Sequence, residues 1–201
     1  ATRLLTVITK LVHPDQSGFM PKHCTAFNLR RLQAVMGRIA TLGEDAAILS
    51  LDAKMAFDSS EWGHVMEVLR HLGFGNTFLD WVSLLYTVPL AQVRINSKRS
   101  RIFELHMGTQ QGCPLSPLIF GLVLEPLAFW IRRDPLVTGL RWALEWGDKI
   151  SLYADDILVY LRDVDAGLPP LLHILREFTQ VSGLHLNSTK SSIIPLHPAR
   201  D

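Results

Sequence analysis

Two short apolar runs, residues 149–154 and 157–161, are separated only by the acidic pair Asp155-Asp156, and this spacing constrains the fold more than any other feature. Such runs on either side of a two-residue polar break are what a β-hairpin with acidic residues at its tip would give. A further apolar run, residues 46–51, reads as a buried strand that ends in Asp52, placing another carboxylate at a strand terminus beside solvent. If these strands are neighbours, three carboxylates converge, and like charges a few ångströms apart raise one another's pKa values unless cations neutralise them. Magnesium suits such a site: it is a hard ion that takes oxygen ligands and keeps room for water and phosphates, and Mn2+ can substitute. Two ions about 3.5–4 Å apart stabilise both the attacking and the leaving oxygen of an in-line phosphoryl displacement. An Asp-Asp pair alone also fits a solvated turn or a cap, so its surroundings decide.

The remaining patterns alternate. Asp58 stands ahead of Glu61 as a capping pair does, opening a helix to about Leu72 that Gly73 and Gly75 close. Asn76 caps an apolar-periodic segment to about Tyr86, and residues 92–96 and 101–107 read as strands paired across a polar turn at 97–100. Ser116 and Pro117 form a cap and first-turn pair for a long helix to about Arg133. A helix is expected over 168–181, closed by Gly183, and a last strand over 192–196, with Pro169, Pro170, Pro195 and Pro198 punctuating this third of the chain. That order implies an α+β fold, a mixed or antiparallel sheet with helices packed on one face.

Composition narrows the function. With 201 residues, 48% of them hydrophobic, the chain has room for one domain, or one and part of a second, around a sizeable core. A net charge of +1 lacks the strongly basic balance of a free-standing nucleic-acid binder, so contact with phosphates must come from local sites. Cys24 and Cys113 have no paired spacing, and no two histidines stand at metal-binding spacing, so neither a disulfide framework nor a zinc site is expected. A reducing intracellular compartment follows. The most apolar run, 117–131, falls short of the roughly 20 residues that cross a bilayer and contains Glu125 and Pro126, so it reads as a buried helix. The opening residues show no secretory pattern and no initiator methionine, as expected of an excerpt or a processed product.

Five blocks then occur in one order: His13-Pro14-Asp15-Gln16-Ser17-Gly18-Phe19 with Asn28-Leu29-Arg30-Arg31; Leu51-Asp52-Ala53-Lys54-Met55-Ala56-Phe57-Asp58; Gly108-Thr109-Gln110-Gln111-Gly112-Cys113-Pro114-Leu115-Ser116-Pro117; Tyr153-Ala154-Asp155-Asp156; and Ser182-Gly183-Leu184 with Asn187, Lys190 and Ser191. Together they resemble the reverse transcriptases of non-LTR (LINE-type) retrotransposons, over nearly the whole chain. The resemblance implies an RNA-directed DNA polymerase that extends a DNA primer on an RNA template with deoxynucleoside triphosphates. It implies partial fingers over 1–45 and a polymerase palm over 46–201, with the thumb absent. Asp52, Asp155 and Asp156 become the catalytic and metal-binding set, the last supporting the site.

The same resemblance assigns Ala53, Phe57, Gln111 and Gly112 to the nucleotide. Phe57 would lie beneath the sugar and exclude a 2′-hydroxyl, although it also suits the core. Gly112 would permit close backbone approach, or serve only as a turn, and Gln111 would donate to base or sugar. Lys190 would act near the pyrophosphate leaving group as a cation or proton donor; without its motif it reads as a surface lysine. Tyr153 would contact the primer end or simply pack. Arg30 and Arg31, Lys98, Arg99 and Arg101, and Arg132 and Arg133 are phosphate candidates that equally suit solvated turns and helix ends.

Three positions depart from the family pattern: His23 in place of Arg, Met55 in place of Lys, and Gln110 in place of a basic residue, each weakening a contact to phosphate or carboxylate. By the resemblance, the sequence is expected to begin inside the fingers, without an endonuclease ahead of it, and to stop before the primer grip and thumb. The isolated chain is therefore expected to form the metal site yet polymerise poorly, with the rest of a longer polyprotein as its partner, no membrane association, and a nuclear or cytoplasmic ribonucleoprotein location. Two other readings stay open: a catalytically inactive retrotransposon-derived relic that folds and binds RNA or protein, and an unrelated enzyme whose acidic hairpin binds calcium or is purely structural. The latter puts Asp52 far from Asp155.

Overall fold

The computed structural model of the chain describes residues 1–21, 23–42, 46–140 and 149–196. The expected boundary at residue 45 and Pro198 lie outside them. The elements run α1 (Thr2–Leu11), α2 (Thr25–Leu42), β1 (Ala46–Leu51), α3 (Ala56–Ser59), α4 (Trp62–His71), α5 (Asn76–Leu85), β2 (Leu90–Ala91), β3 (Arg94–Ile95), β4 (Lys98–Arg99), β5 (Phe103–Glu104), α6 (Ser116–Arg133), β6 (Ile150–Tyr153), β7 (Asp156–Leu161), α7 (Val164–Ser182) and β8 (Ser192–Leu196).

Four strands form one sheet in the order β6-β7-β1-β8, every pairing antiparallel. Strand alternation sends successive side chains to opposite faces. Ala47, Leu49 and Leu51 of β1 and Ile157, Val159 and Leu161 of β7 therefore face a large core shared with α1, α4, α6 and α7. Ala46, Ile48 and Tyr160 face the other way, onto Val35 and Ile39 of α2 and Leu140. Burial on both faces explains why β1 reads as a continuous apolar run. The α6 helix is buried around most of its circumference, with Phe120, Leu122 and Val123 all inaccessible or nearly so, which is why its sequence lacks a polar face. Among the described residues no helix is long and apolar enough to cross a membrane.

Several element ends differ from expectation. Asp58 lies inside the short helix α3, and α4 starts at Trp62 after Glu61, which makes no side-chain cap bond. Gly75, not Asn76, caps α5, and Leu115, not Ser116, caps α6; the Ser116 hydroxyl donates instead to Gln110 O at 2.7 Å. The turn expected at 97–100 falls at Asn96-Ser97, both with positive φ, so Lys98 and Arg99 belong to β4. That is the backbone a two-residue hairpin turn needs, and asparagine tolerates it. The α7 helix begins earlier than expected, at Val164, because Asp163 caps it by accepting from Ala166 N at 3.0 Å. Pro169 and Pro170 sit within its first turns rather than breaking it, and Gly183, with φ 73, closes it as expected. The two N-terminal helices had no counterpart in the sequence reading.

Candidate active site

The β6–β7 register pairs Tyr153 with Asp156, leaving Ala154 and Asp155 as a two-residue turn. On the next strand Leu51 pairs with Ile157, so Asp52 leaves the end of β1 alongside that turn. The result is a cavity of about 480 Å³ lined by Asp52 and Asp155, by residues 53–58, and by Gln111, Asn187 and Lys190.

Three connections hold its rim. The segment after α7 runs beside the end of β1: Asn187 N donates to Asp52 O at 2.8 Å, Lys54 N to His185 O at 2.8 Å, and Asp52 N to Ser191 Oγ at 3.1 Å. This ladder brings Asn187 and Lys190 to the cavity. The loop ahead of α6 is tied down by Gly108 N donating to Ser60 O at 2.9 Å and by the Thr109 hydroxyl donating to Phe57 O at 3.1 Å. Trp62 Nε1 donates to Gly108 O at 2.7 Å while its ring stacks on Tyr86 at 5.3 Å. Burial, with a smaller contribution from Cys113, pushes the Tyr86 phenol up to about 12, so it stays neutral there. Gly108 must be glycine: with φ 91, an added Cβ would stand 2.7 Å from Asp58 O.

Of the residues expected at the site, Asp52, Ala53, Phe57, Gln111, Asp155 and Lys190 line the one cavity. Gly112 is not among the lining residues; its φ of 85 marks a turn with open space around it. Phe57 serves both expected purposes, lining the cavity while its ring packs at 4.4 Å on Phe120 of the core and at 6.4 Å on Phe19. Asp156 is not at the hairpin tip as expected but is the first residue of β7. Burial, then Asp155, then Asp52 raise its carboxyl above the ordinary range. The three acidic groups thus share one electrostatic neighbourhood, contrary to a reading that separates Asp52 from Asp155.

They do not form the three-carboxylate set expected to hold the metal. Among the described residues no three His, Cys, Asp or Glu side chains gather closely enough to ligate one ion. Asp155 belongs to the turn and Asp156 opens β7. Asp52 and Asp155 still fit a hard divalent cation, because magnesium is commonly held by one or two carboxylates with substrate phosphates completing its shell. Lys54, Ala56 and Asp58 also line the cavity with no site role expected of them, Met55 lines it as the departure from a family lysine, and Asn187 was expected only through its motif. Lys54 stands two residues after Asp52 at the acidic strand end, a position that signals proximity to the carboxylates.

Comparison with known proteins bears on the family and the fold. A family model described as reverse transcriptase (RNA-dependent DNA polymerase) matches residues 1–198. The chain is 30% identical over 193 residues to the Pol polyprotein of the type-2 retrotransposable element R2DM of Drosophila melanogaster, covering 94% of this chain and 17% of that protein. It is 28% identical over 193 residues to the transposon TX1 149 kDa protein of Xenopus laevis, covering 94% of this chain and 14% of that protein. Among solved structures, apo telomerase of Candida tropicalis truncated from its C-terminal domain superposes with a TM-score of 0.67 at 12% identity, covering 100% of this chain and 40% of that one. Telomerase of Candida albicans in complex with a fragment of telomeric RNA gives 0.66 at 13%, covering 96% and 34%. These structural likenesses speak to the fold, and the chain spans only a minor part of each relative.

Proposed function

The chain belongs to the reverse transcriptase (RNA-dependent DNA polymerase) family, and from that premise we propose that it supplies the palm of an RNA-directed DNA polymerase that extends a DNA primer on an RNA template. The observation carrying this reading is that Asp52 and Asp155, from different strands, line one cavity with Lys54, Gln111 and Lys190. Residues 46–201 form the palm in this reading and residues 1–45 part of the fingers.

Asp52 and Asp155 would hold magnesium or manganese, with Asp156 supporting the site through its charge. Two such ions, when bound, lower the cost of the charge that develops on the attacking and leaving oxygens. Lys190, held beside Asp52 by the Asn187 ladder, balances charge on the departing pyrophosphate or gives it a proton. Phe57 and Ala53 form the floor under the deoxynucleotide sugar, with the Phe57 ring fixed by Phe120, so a 2′-hydroxyl meets a packed wall. Gln111 donates to the base or sugar, and Gly112 leaves its backbone accessible on the approach to the cavity. The template-primer, deoxynucleoside triphosphates and the remainder of a longer polyprotein are its partners, in an intracellular ribonucleoprotein.

A titration of Mn2+ and deoxynucleotide against the wild-type chain and Asp155→Asn tests this, together with primer extension supplemented by the flanking polypeptide. Binding and extension lost in Asp155→Asn are expected. Met55 in the cavity, where the family pattern carries a cation, favours the relic as the second reading; indistinguishable, inert behaviour of both chains would establish it.

A further inference from the structure

Gln16 is 2% exposed, sealed between the N-terminal segment and the tip of the β6–β7 hairpin. Its side-chain amide grips the turn from both sides: Oε1 accepts from Ala154 N at 3.1 Å, and Nε2 donates to Ala154 O at 3.3 Å. The same Oε1 accepts from Gly18 N at 2.9 Å. Ala154 has φ 55, a left-handed conformation that a residue with a Cβ adopts only when its surroundings impose it. The strand behind it is fastened by the same segment, with Ser17 N donating to Leu152 O at 2.9 Å and Leu152 N to Asp15 O at 2.8 Å. Backbones meet so closely here that a Cβ on Gly18 would lie 2.1 Å from Ala154 N. Ala154 is the residue before Asp155, so whatever sets its φ and ψ sets where the Asp155 carboxylate emerges.

We propose that Gln16 is a positioning residue for the cation site: by clasping both backbone groups of Ala154 it holds the strained turn that presents Asp155 to the cavity. Divalent-cation affinity then depends on a side chain that never touches the ion. This rests on the polymerase reading of the cavity. A primary amide suits the task because it offers an acceptor and a donor together. Glutamate has the same shape but loses the bond to Ala154 O and adds a negative charge near the acidic cluster.

The test compares Gln16→Met and Gln16→Glu with Val82→Ala, a cavity in α5 that costs stability without touching the hairpin. Mn2+ binding is followed by electron paramagnetic resonance, and exchange of the Ala154 amide by NMR. Gln16→Met should raise the Mn2+ half-saturation about tenfold or more, as loss of an outer-shell partner does, and both Gln16 variants should speed Ala154 exchange; Val82→Ala should do neither. If Gln16→Met does not fold, Gln16→Glu decides the matter through Ala154 exchange, since its added charge itself draws Mn2+. An unchanged midpoint in Gln16→Met, unchanged Ala154 exchange in Gln16→Glu, or an equal rise in Val82→Ala overturns the positioning role while leaving the cavity's function standing. A wild-type chain with no Mn2+ site that Asp155→Asn removes overturns the polymerase reading, and the positioning role with it.

Discussion

Asp15, only 6% exposed, sits between His13 Nδ1 at 3.0 Å, Arg31 Nη1 at 2.6 Å and Arg132 Nη1 at 3.3 Å. Burial pushes its carboxyl up, but the His13 bond and the Arg31 guanidinium more than offset this, and it titrates below its ordinary 3.8. A depressed carboxylate contributes stability that is present above the unfolded value and is lost as pH falls through the folded one. Asp15→Asn should therefore destabilise the chain by about 3 kcal/mol at pH 7, as when one partner of a buried pair is removed. The difference should shrink below pH 3.8. Urea unfolding at both pH values checks this, and an equal loss at each would count against it. At the cavity, Lys190→Ala should lower kcat about a hundredfold, the usual scale for a lost proton donor, without moving the Mn2+ midpoint. A change in that midpoint would mean that the lysine shapes the carboxylates instead.

Within elements, glycines separate conformational need from mere tolerance. Gly183 closes α7 with φ 73, and a Cβ there would stand 2.5 Å from Ser59 O, so the helix end is pressed against α3. Gly183→Ala should cost more than the roughly 1–2 kcal/mol of a left-handed alanine, because Ser59 must also move. Gly37, inside α2 with nothing within 4 Å of its virtual Cβ, should respond in the opposite sense. Gly37→Ala is expected to stabilise by about 0.5–1 kcal/mol, read as a rise in the urea midpoint. The hairpin was legible at this scale because two apolar runs around two acidic residues leave few alternatives. The caps of α4, α5 and α6 were not: Glu61 and Gly75 stand at the first two without a side-chain cap bond, and the Ser116 hydroxyl serves the loop at Gln110.

For the molecule as a whole, the N-terminal helices are built into both sides of the sheet. Ile8 shares the larger core with Leu49, and Val35 and Ile39 share the smaller one with Ile48 and Tyr160. Ile8→Ala should cost about 2–5 kcal/mol and move the same single transition that Leu49→Ala moves, whether followed by tryptophan fluorescence or circular dichroism. Two separable transitions would show that residues 1–45 unfold on their own. The sequence by itself determined the strands of the main sheet, the helices α6 and α7 and the acidic residues at strand ends, because local apolar periodicity and chain reversals are written over a few neighbouring residues. Only the tertiary structure decided that Asp52 and Asp155 line one cavity while Asp156 opens the adjoining strand, and that Gln16, distant along the chain, bonds both backbone groups of Ala154. Strand order and the destination of a buried amide depend on contacts between distant segments, and no local pattern encodes which partner such a group will meet.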